Sequence, residues 1–164
     1  MALQSKKKGN RGELEAVHIL NDRFGSNLFA RAVSSGAWIG GGNRHRAEVL
    51  TDEQQLAFAS DIICPVWFKY VIEHKSYAQL DFWELFNDKS NLHQWFAQVE
   101  ADASFVGKLP MLVVKINNHK RIVFVKEDMF SIFKIKTWNY HRNAGFIIIT
   151  HFKQILSLII WEQN

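Results

Sequence analysis

A glutamate and a lysine lie at a spacing that could build a site for a divalent cation. Glu73 and Lys75 are separated by one residue within the segment 71–75 (VIEHK), which favours a largely buried β-strand. Because side chains alternate along a strand, both would point to one face. Burying a carboxylate or an ammonium group without a partner is costly, and a bound cation would remove much of that cost.

Asp61 is a candidate second carboxylate of this site. It lies in the segment that precedes the strand with Glu73. If the segments 57–63 and 68–75 form a hairpin with its turn centred near Trp67, Asp61 lies directly opposite Glu73. Opposed residues have Cβ atoms about 4.5–5.5 Å apart, and two carboxylates that close repel each other unless they are protonated or bridged by a metal ion. Mg²⁺ prefers oxygen ligands of this kind.

Glu13 is a candidate fourth member of the site. The first predicted helix has an apolar stripe at Val17, Leu20 and Phe24. Glu13 extends that stripe by one turn, whereas Glu15 points elsewhere. A carboxylate on the core-facing side of a helix start requires a reason, and a place in the cation site would supply one.

Each of these residues also has an interpretation without chemistry. Asn10 is a suitable N-cap three residues before Glu13, so Glu13 could complete a capping arrangement. Glu73 and Lys75 could form an exposed ion pair on an edge strand, since an isolated Glu-x-Lys pattern is common. Asp61 makes the site more specific, because aspartate is disfavoured within strands.

The elements that would position these residues alternate along the chain. Predicted helices cover residues 10–24, 81–87, 90–106, 127–134 and 151–160. Predicted strands cover residues 28–33, 57–63, 68–75, 110–116, 120–126 and 145–149. Glycine and serine residues between 34 and 56 predict a long flexible loop. This order predicts an α/β or α+β fold with a mixed sheet flanked by helices.

Composition fits a single domain over residues 1–164, and it argues against a disulfide-bonded, zinc-ribbon or membrane-spanning protein. With 48% hydrophobic residues, the chain should form one packed globule. Cys64 is the only cysteine, which excludes an intramolecular disulfide and a cysteine-based zinc ribbon. The N-terminal lysines precede no apolar stretch, and no apolar run is long enough to span a bilayer, which predicts a protein of a reducing cytoplasm.

The net charge of +4 permits a polyanionic partner without requiring one. Basic residues concentrate in two segments, with Lys6, Lys7, Lys8 and Arg11 in the first and Arg44, His45 and Arg46 in the second. The first cluster could equally be a solvated tail. The aromatic residues are more typical of a core or a dimer interface than of base stacking, among them Trp83, Trp95 and Phe96.

These motifs together resemble the signature of PD-(D/E)xK nucleases, in which Asp61 precedes Glu73-x-Lys75 and Ser60 replaces the usual proline. The opening segment 8–15 (KGNRGELE) resembles the Lys-Gly-x-x-x-Glu start of archaeal and phage Holliday junction resolvases in that superfamily. Further similar segments begin at Arg31, Ser34, Phe82, Trp95 and Gly107. The resemblance covers residues 6–126, and the extension 127–164 matches only loosely.

The resemblance implies a restriction-endonuclease-like core and hydrolysis of DNA phosphodiester bonds with Mg²⁺ or Mn²⁺. Asp61, Glu73 and the backbone carbonyl of His74 would ligate the ion. Glu13 would hold a second ion or orient the attacking water, and Lys75 would position or help deprotonate that water. Ser35 would contact the scissile phosphate, although a turn role explains it as well.

The resemblance also implies contacts to the DNA backbone from Lys6, Lys7, Lys8, Arg11, Arg31, Arg44 and Arg46. The implied substrate is a branched, four-way junction, and its symmetric cleavage requires two active sites in a homodimer. Two alternatives share the fold: a nuclease for flaps, nicks or other repair intermediates, and an inactive DNA-binding module. The intact set of Glu13, Asp61, Glu73 and Lys75 argues against the inactive module.

Overall fold

The computed structural model describes residues 2–32, 45, 48–81, 87, 89–119, 121–126 and 146–149, and for 2–8 and 146–149 it describes the backbone only. In chain order the elements are α1 (Ala2–Phe24), β1 (Ala30–Arg31), α2 (Asp52–Phe58), β2 (Ile62–Ile63), β3 (Tyr70–Tyr77), α3 (Asn91–Phe105), β4 (Leu109–Ile116), β5 (Arg121–Lys126) and β6 (Phe146–Ile149). None of these helices is both long and apolar enough to cross a membrane.

A mixed four-stranded sheet forms the centre of the described structure, with the strand order β3-β4-β5-β6. β3 runs parallel to β4, whereas β4 and β5, and β5 and β6, are antiparallel. The parallel pair is connected through α3, as a parallel crossover requires. This architecture confirms the predicted α+β fold with a restriction-endonuclease-like core, and it leaves β3 at an edge of the sheet.

Hydrophobic clusters cover both faces of the sheet, and β3 contributes to each. Ile72 packs into the cluster that contains Leu20 of α1. Val71 packs into the cluster that contains Phe96 of α3. Since side chains alternate along a strand, even-numbered residues of β3 face α1 and odd-numbered residues face α3.

The first helix begins at Ala2, so the prediction that Asn10 is its N-cap was wrong. Residues 2–8 contain no glycine or proline, and their alanine, leucine, glutamine and lysine residues favour a helix. The capping explanation for Glu13 is therefore excluded. The predicted end is confirmed, because α1 stops at Phe24 and Gly25 follows with a φ of 126°.

The predicted strand over 57–63 was also wrong for most of its length. Residues Asp52–Phe58 form α2, which starts inside the predicted loop 34–56 and is capped by reciprocal hydrogen bonds between Thr51 and Gln54. Only Ile62–Ile63 remain as a strand, β2, and this strand pairs with β1 instead of forming a hairpin with β3.

The later predictions are confirmed to within one residue at each end for α3, β4, β5 and β6. β3 begins and ends two residues later than predicted, and β1 is shorter than predicted. The helices predicted at 127–134 and 151–160 lie outside the described residues, as do residues 82–86 of the helix predicted at 81–87 and most of the segment 34–47.

Gly12 allows α1 to approach β3 closely. A Cβ atom at this position would meet Ser76 Oγ far inside van der Waals distance and His74 Cε1 at 2.6 Å.

Because His74 is buried on a paired strand, Gly12→Ala should destabilise the fold by roughly 1–3 kcal/mol, as measured by urea unfolding. Gly9→Ala is the matched control, since its nearest neighbour would be Glu13 Oε1 at 3.9 Å. The control should gain about 0.5–1 kcal/mol. Equal stability of the two variants would contradict this account.

Candidate active site

Asp61 lies at the free edge of β3, immediately before β2. Its backbone carbonyl accepts a hydrogen bond from Ala32 N–H at 2.9 Å, which holds it beside β1. Its buried carboxylate accepts a hydrogen bond from the His74 backbone N–H at 3.0 Å. The side chain of Asp61 therefore reaches β3 without the predicted hairpin ladder between the two segments.

Glu73 and Lys75 lie on the face of β3 that is turned towards α3, and they form an ion pair. Lys75 Nζ lies 2.5 Å from Glu73 Oε1, and Glu73 is only 4% exposed. Burial, followed by the negative charge of Asp61, raises the pKa of Glu73 to about 7, and Lys75 only partly opposes this shift.

The pKa of Lys75 is shifted upwards by the same group of charges. Burial by itself lowers this pKa, but the attraction of Glu73, Asp61 and Glu13 outweighs burial and raises it. Lys75 is therefore held as an ammonium ion.

Glu13 approaches the same edge from α1. Its side chain is 13% exposed, whereas that of Glu15 is 43% exposed, which confirms the predicted orientation of the two residues. Arg31 Nη1 donates a hydrogen bond to Glu13 Oε2 at 3.2 Å. Burial and then the charge of Asp61 raise the pKa of Glu13, while Arg31 and Lys75 oppose the shift.

The donor atoms fit a divalent cation in chemistry, but they are not gathered around one point. No three acidic, histidine or cysteine side chains of the described residues form a cluster ready to hold a metal ion. Instead each carboxylate is engaged separately: Glu73 by Lys75, Glu13 by Arg31, and Asp61 by the His74 N–H. Burial and then the charge of Asp61 raise the pKa values of buried Glu73 and half-buried Glu13, so both carboxylates would bind a cation favourably.

His74 contributes its backbone to this edge and its side chain to the opposite face. Its N–H bonds Asp61, and the carbonyl of the same residue points to the same side of the strand. The buried imidazole lies against Gly12 of α1, and neither ring nitrogen has a hydrogen-bond partner among the described residues. Burial and then the charge of Arg121 lower the pKa of His74 to about 4, so the ring is neutral at pH 7.

Of the other predicted site residues, one lies at the site, one lies away from it, and the side chains of the rest are not described. Arg31 lies inside the site through its bond to Glu13, and Arg11 is exposed and pairs with Glu15 at 3.2 Å. The backbones of residues 6–8 belong to α1, but their side chains are not described. Ser35, Arg44 and Arg46 lie outside the described residues.

Sequence reasoning missed two ion pairs that fasten α1 beside the site. Arg31 is bonded to Glu13 at 3.2 Å, and Arg121 of β5 is bonded to Glu15 at 2.7 Å. The partners in the second pair are 106 residues apart in the chain. No local pattern signals such a pair, because only the packing of α1 on the sheet brings its members together.

The raised pKa of Glu73 makes stability depend on pH. Folded Glu73 binds a proton more tightly than the unfolded chain does, so this contribution is fully present below about pH 4.5 and is lost as the pH rises through about 7. With a chelator present, wild type should lose stability relative to Glu73→Gln between about pH 4.5 and about pH 8. The relative loss should be roughly 3 kcal/mol at most. Urea unfolding at both pH values measures it, and parallel pH profiles would contradict the shift.

Comparison with known proteins adds a match over almost the entire chain. A family model described as "Phage putative PDDEXK endonuclease" matches residues 4–162. This range includes Glu13, Asp61, Glu73 and Lys75, the four residues whose side chains interact at the edge of β3. No curated protein and no solved structure matched the chain.

Proposed function

The chain belongs to this family of phage PDDEXK endonucleases, and from that premise we propose that it is a metal-dependent endonuclease that cleaves branched DNA, with a Holliday junction as its main substrate. Membership makes the chain a PD-(D/E)xK superfamily nuclease. The proposal adds the substrate structure, the metal requirement and the roles of individual residues.

The observation that supports the proposal most is the placement of three carboxylates and one ammonium group at the edge of β3. Asp61 raises the pKa of both Glu13 and Glu73, and Lys75 interacts with all three carboxylates. These four residues come from three separate parts of the chain: α1, the segment before β2, and β3. A purely structural protein would have no reason to concentrate three carboxylates there.

Asp61, Glu73 and the His74 carbonyl would bind Mg²⁺ or Mn²⁺, with Glu13 holding a second ion or orienting water. When bound, the ion supplies a Lewis acid that polarises a phosphoryl oxygen and lowers the pKa of water. Lys75 and Arg31, which lie 2.5 and 3.2 Å from Glu73 and Glu13, would stand beside an incoming phosphate.

Lys75 positions the attacking water and stabilises the scissile phosphate. Its raised pKa keeps the ammonium group charged, so it can donate hydrogen bonds to water and to phosphoryl oxygens. Negative charge develops on those oxygens as the water attacks, and a fixed positive charge stabilises the transition state more than the ground state. The neutral imidazole of His74, on the other face, takes no part in this step.

Basic residues would hold the DNA backbone without reading its sequence. Residues 6–8 and Arg11 belong to α1 within two helical turns of Glu13, and we assign Lys6, Lys7, Lys8 and Arg11 contacts to phosphates next to the site. We assign the same role to Arg31, Arg44 and Arg46, and a phosphate contact to Ser35. Such contacts make binding strongly dependent on salt. Symmetric cleavage of a four-way junction requires two active sites, which we propose a homodimer supplies.

A panel of DNA structures tests the proposed function. A four-way junction, a flap, a nicked duplex and a linear duplex are incubated with the protein in Mg²⁺, in Mn²⁺ and with a chelator. We expect the junction to be cut fastest and the chelator to stop all cleavage. Preferred cutting of flaps or nicks would replace the junction assignment, and tight binding without any cutting would favour an inactive DNA-binding module.

A further inference from the structure

An aromatic pair with one exposed ring lies next to the candidate active site. The rings of Tyr77, the last residue of β3, and Trp95 of α3 have centroids 4.7 Å apart and planes inclined at 61°. Tyr77 is 39% exposed, whereas Trp95 packs against the hydrophobic cluster on the α3 face. One ring is therefore anchored in the core and braces the other at the surface.

The position of Tyr77 relates it directly to Lys75. Glu73, Lys75 and Tyr77 alternate along β3, so all three lie on the same face of the strand. Two residues along a strand span roughly 6.4–6.8 Å, which is close to two of the ~3.4 Å steps between stacked nucleotides. A DNA strand with a phosphate at Lys75 would bring a base one or two nucleotides away over Tyr77.

We propose that Tyr77, braced by Trp95, is a stacking platform for an unstacked base, at a branch point or in a single strand, beside the scissile phosphate. The inference rests on the proposed function, because it takes Lys75 as the contact to that phosphate. A base within a continuous duplex has both faces covered by its neighbours, whereas a base at a branch point or in a single strand can stack on an aromatic ring. The platform therefore favours DNA whose bases are unstacked at the cut, as at a branch point, over a continuous duplex.

The surroundings of Tyr77 suit this role. Its backbone carbonyl accepts a hydrogen bond from Asn117 N–H at 3.2 Å, so the strand end is fixed. Contact with Trp95 restricts the tyrosine ring before DNA binds, which reduces the entropy lost on binding. The larger aromatic cluster of the described residues, formed by Phe24, Phe29, Trp67, Phe68 and Tyr70, lies elsewhere and belongs mainly to the core on the α1 side.

Binding measured in a chelator tests the platform independently of cleavage. The probes are a labelled single strand, a four-way junction with unpaired bases at its centre, and a linear duplex. Tyr77→Leu should weaken binding of the first two probes roughly tenfold and leave duplex binding unchanged. Tyr77→Phe should bind like wild type. The matched control is Phe105→Leu. Phe105 is an aromatic residue of α3 whose side chain is 38% exposed, and its replacement should leave binding of all three probes unchanged.

A fluorescent base analogue makes the stacking visible. With 2-aminopurine placed at each position next to the cut, wild type should quench the fluorescence at one position, and Tyr77→Leu should not. The platform is refuted if Tyr77→Leu binds every probe like wild type, or weakens duplex binding equally. The cleavage panel tests the proposed function separately. If wild type cuts nothing but Tyr77→Leu still loses single-strand binding, the nuclease proposal fails and only base stacking on Tyr77 is supported.

Discussion

Asp61→Asn and Glu73→Gln should each reduce the rate of DNA cleavage by a factor on the order of 10³ or more, and neither should weaken DNA binding. Each substitution keeps the shape of the side chain but removes one of the two buried carboxylate charges that would hold the catalytic cation. A factor of 10³ corresponds to about 4 kcal/mol of lost transition-state stabilisation. Single-turnover cleavage in Mg²⁺ measures the rate, and a salt titration of binding in chelator measures affinity.

The controls for these variants are acidic residues outside the site. Asp22 on α1 and Glu48 before α2 are exposed, so Asp22→Asn and Glu48→Gln should cleave at the parental rate. Urea unfolding shows whether each site variant is folded under the assay conditions. If folded Asp61→Asn or Glu73→Gln still cleaved DNA like wild type in Mg²⁺, the site assignment would be wrong.

Lys75→Met should reduce cleavage by roughly 10²–10³, again with DNA binding largely retained. Methionine preserves the length of the side chain but cannot donate to water or to a phosphoryl oxygen. The variant also leaves Glu73 without its ion-pair partner at 2.5 Å. Without Lys75, the Glu73 carboxyl group should stay protonated up to a higher pH. The cleavage rate of the variant should therefore still rise with pH where the rate of wild type has reached its plateau.

Lys69→Met is the matched control for Lys75. Lys69 is exposed and lies just before the same strand, outside the group of interacting carboxylates. It should cleave within a few-fold of wild type and with an unchanged pH profile. Equal rates for Lys75→Met and Lys69→Met would remove Lys75 from the proposed mechanism.

The sequence predicted on which face of its helix or strand each site residue lies, because that face follows from backbone periodicity. Side-chain alternation placed Glu73 and Lys75 on one face of β3, and helical spacing turned Glu13 towards the core and Glu15 away from it. The limits of α3 and β4 were predictable because a long amphipathic stripe and a continuous apolar run are strong local signals.

The hairpin prediction failed where local signals were weak. The segment around residues 52–58 is short, and its capping box at Thr51 outweighed the apolar residues that suggested a strand. Asn10 likewise carried too little preference to start a helix when the preceding residues could extend it to Ala2.

The sequence by itself determined which residues could do chemistry and which face of its own helix or strand each one occupies, because a few neighbouring residues set those properties. Only the tertiary structure decided their partners. The Asp61 carboxylate bonds the His74 N–H, and Arg31 holds Glu13, because the edge of β3, α1 and the β1–β2 pair pack together. Contacts between residues far apart in the chain depend on the packing of whole elements, and local propensity carries no information about them.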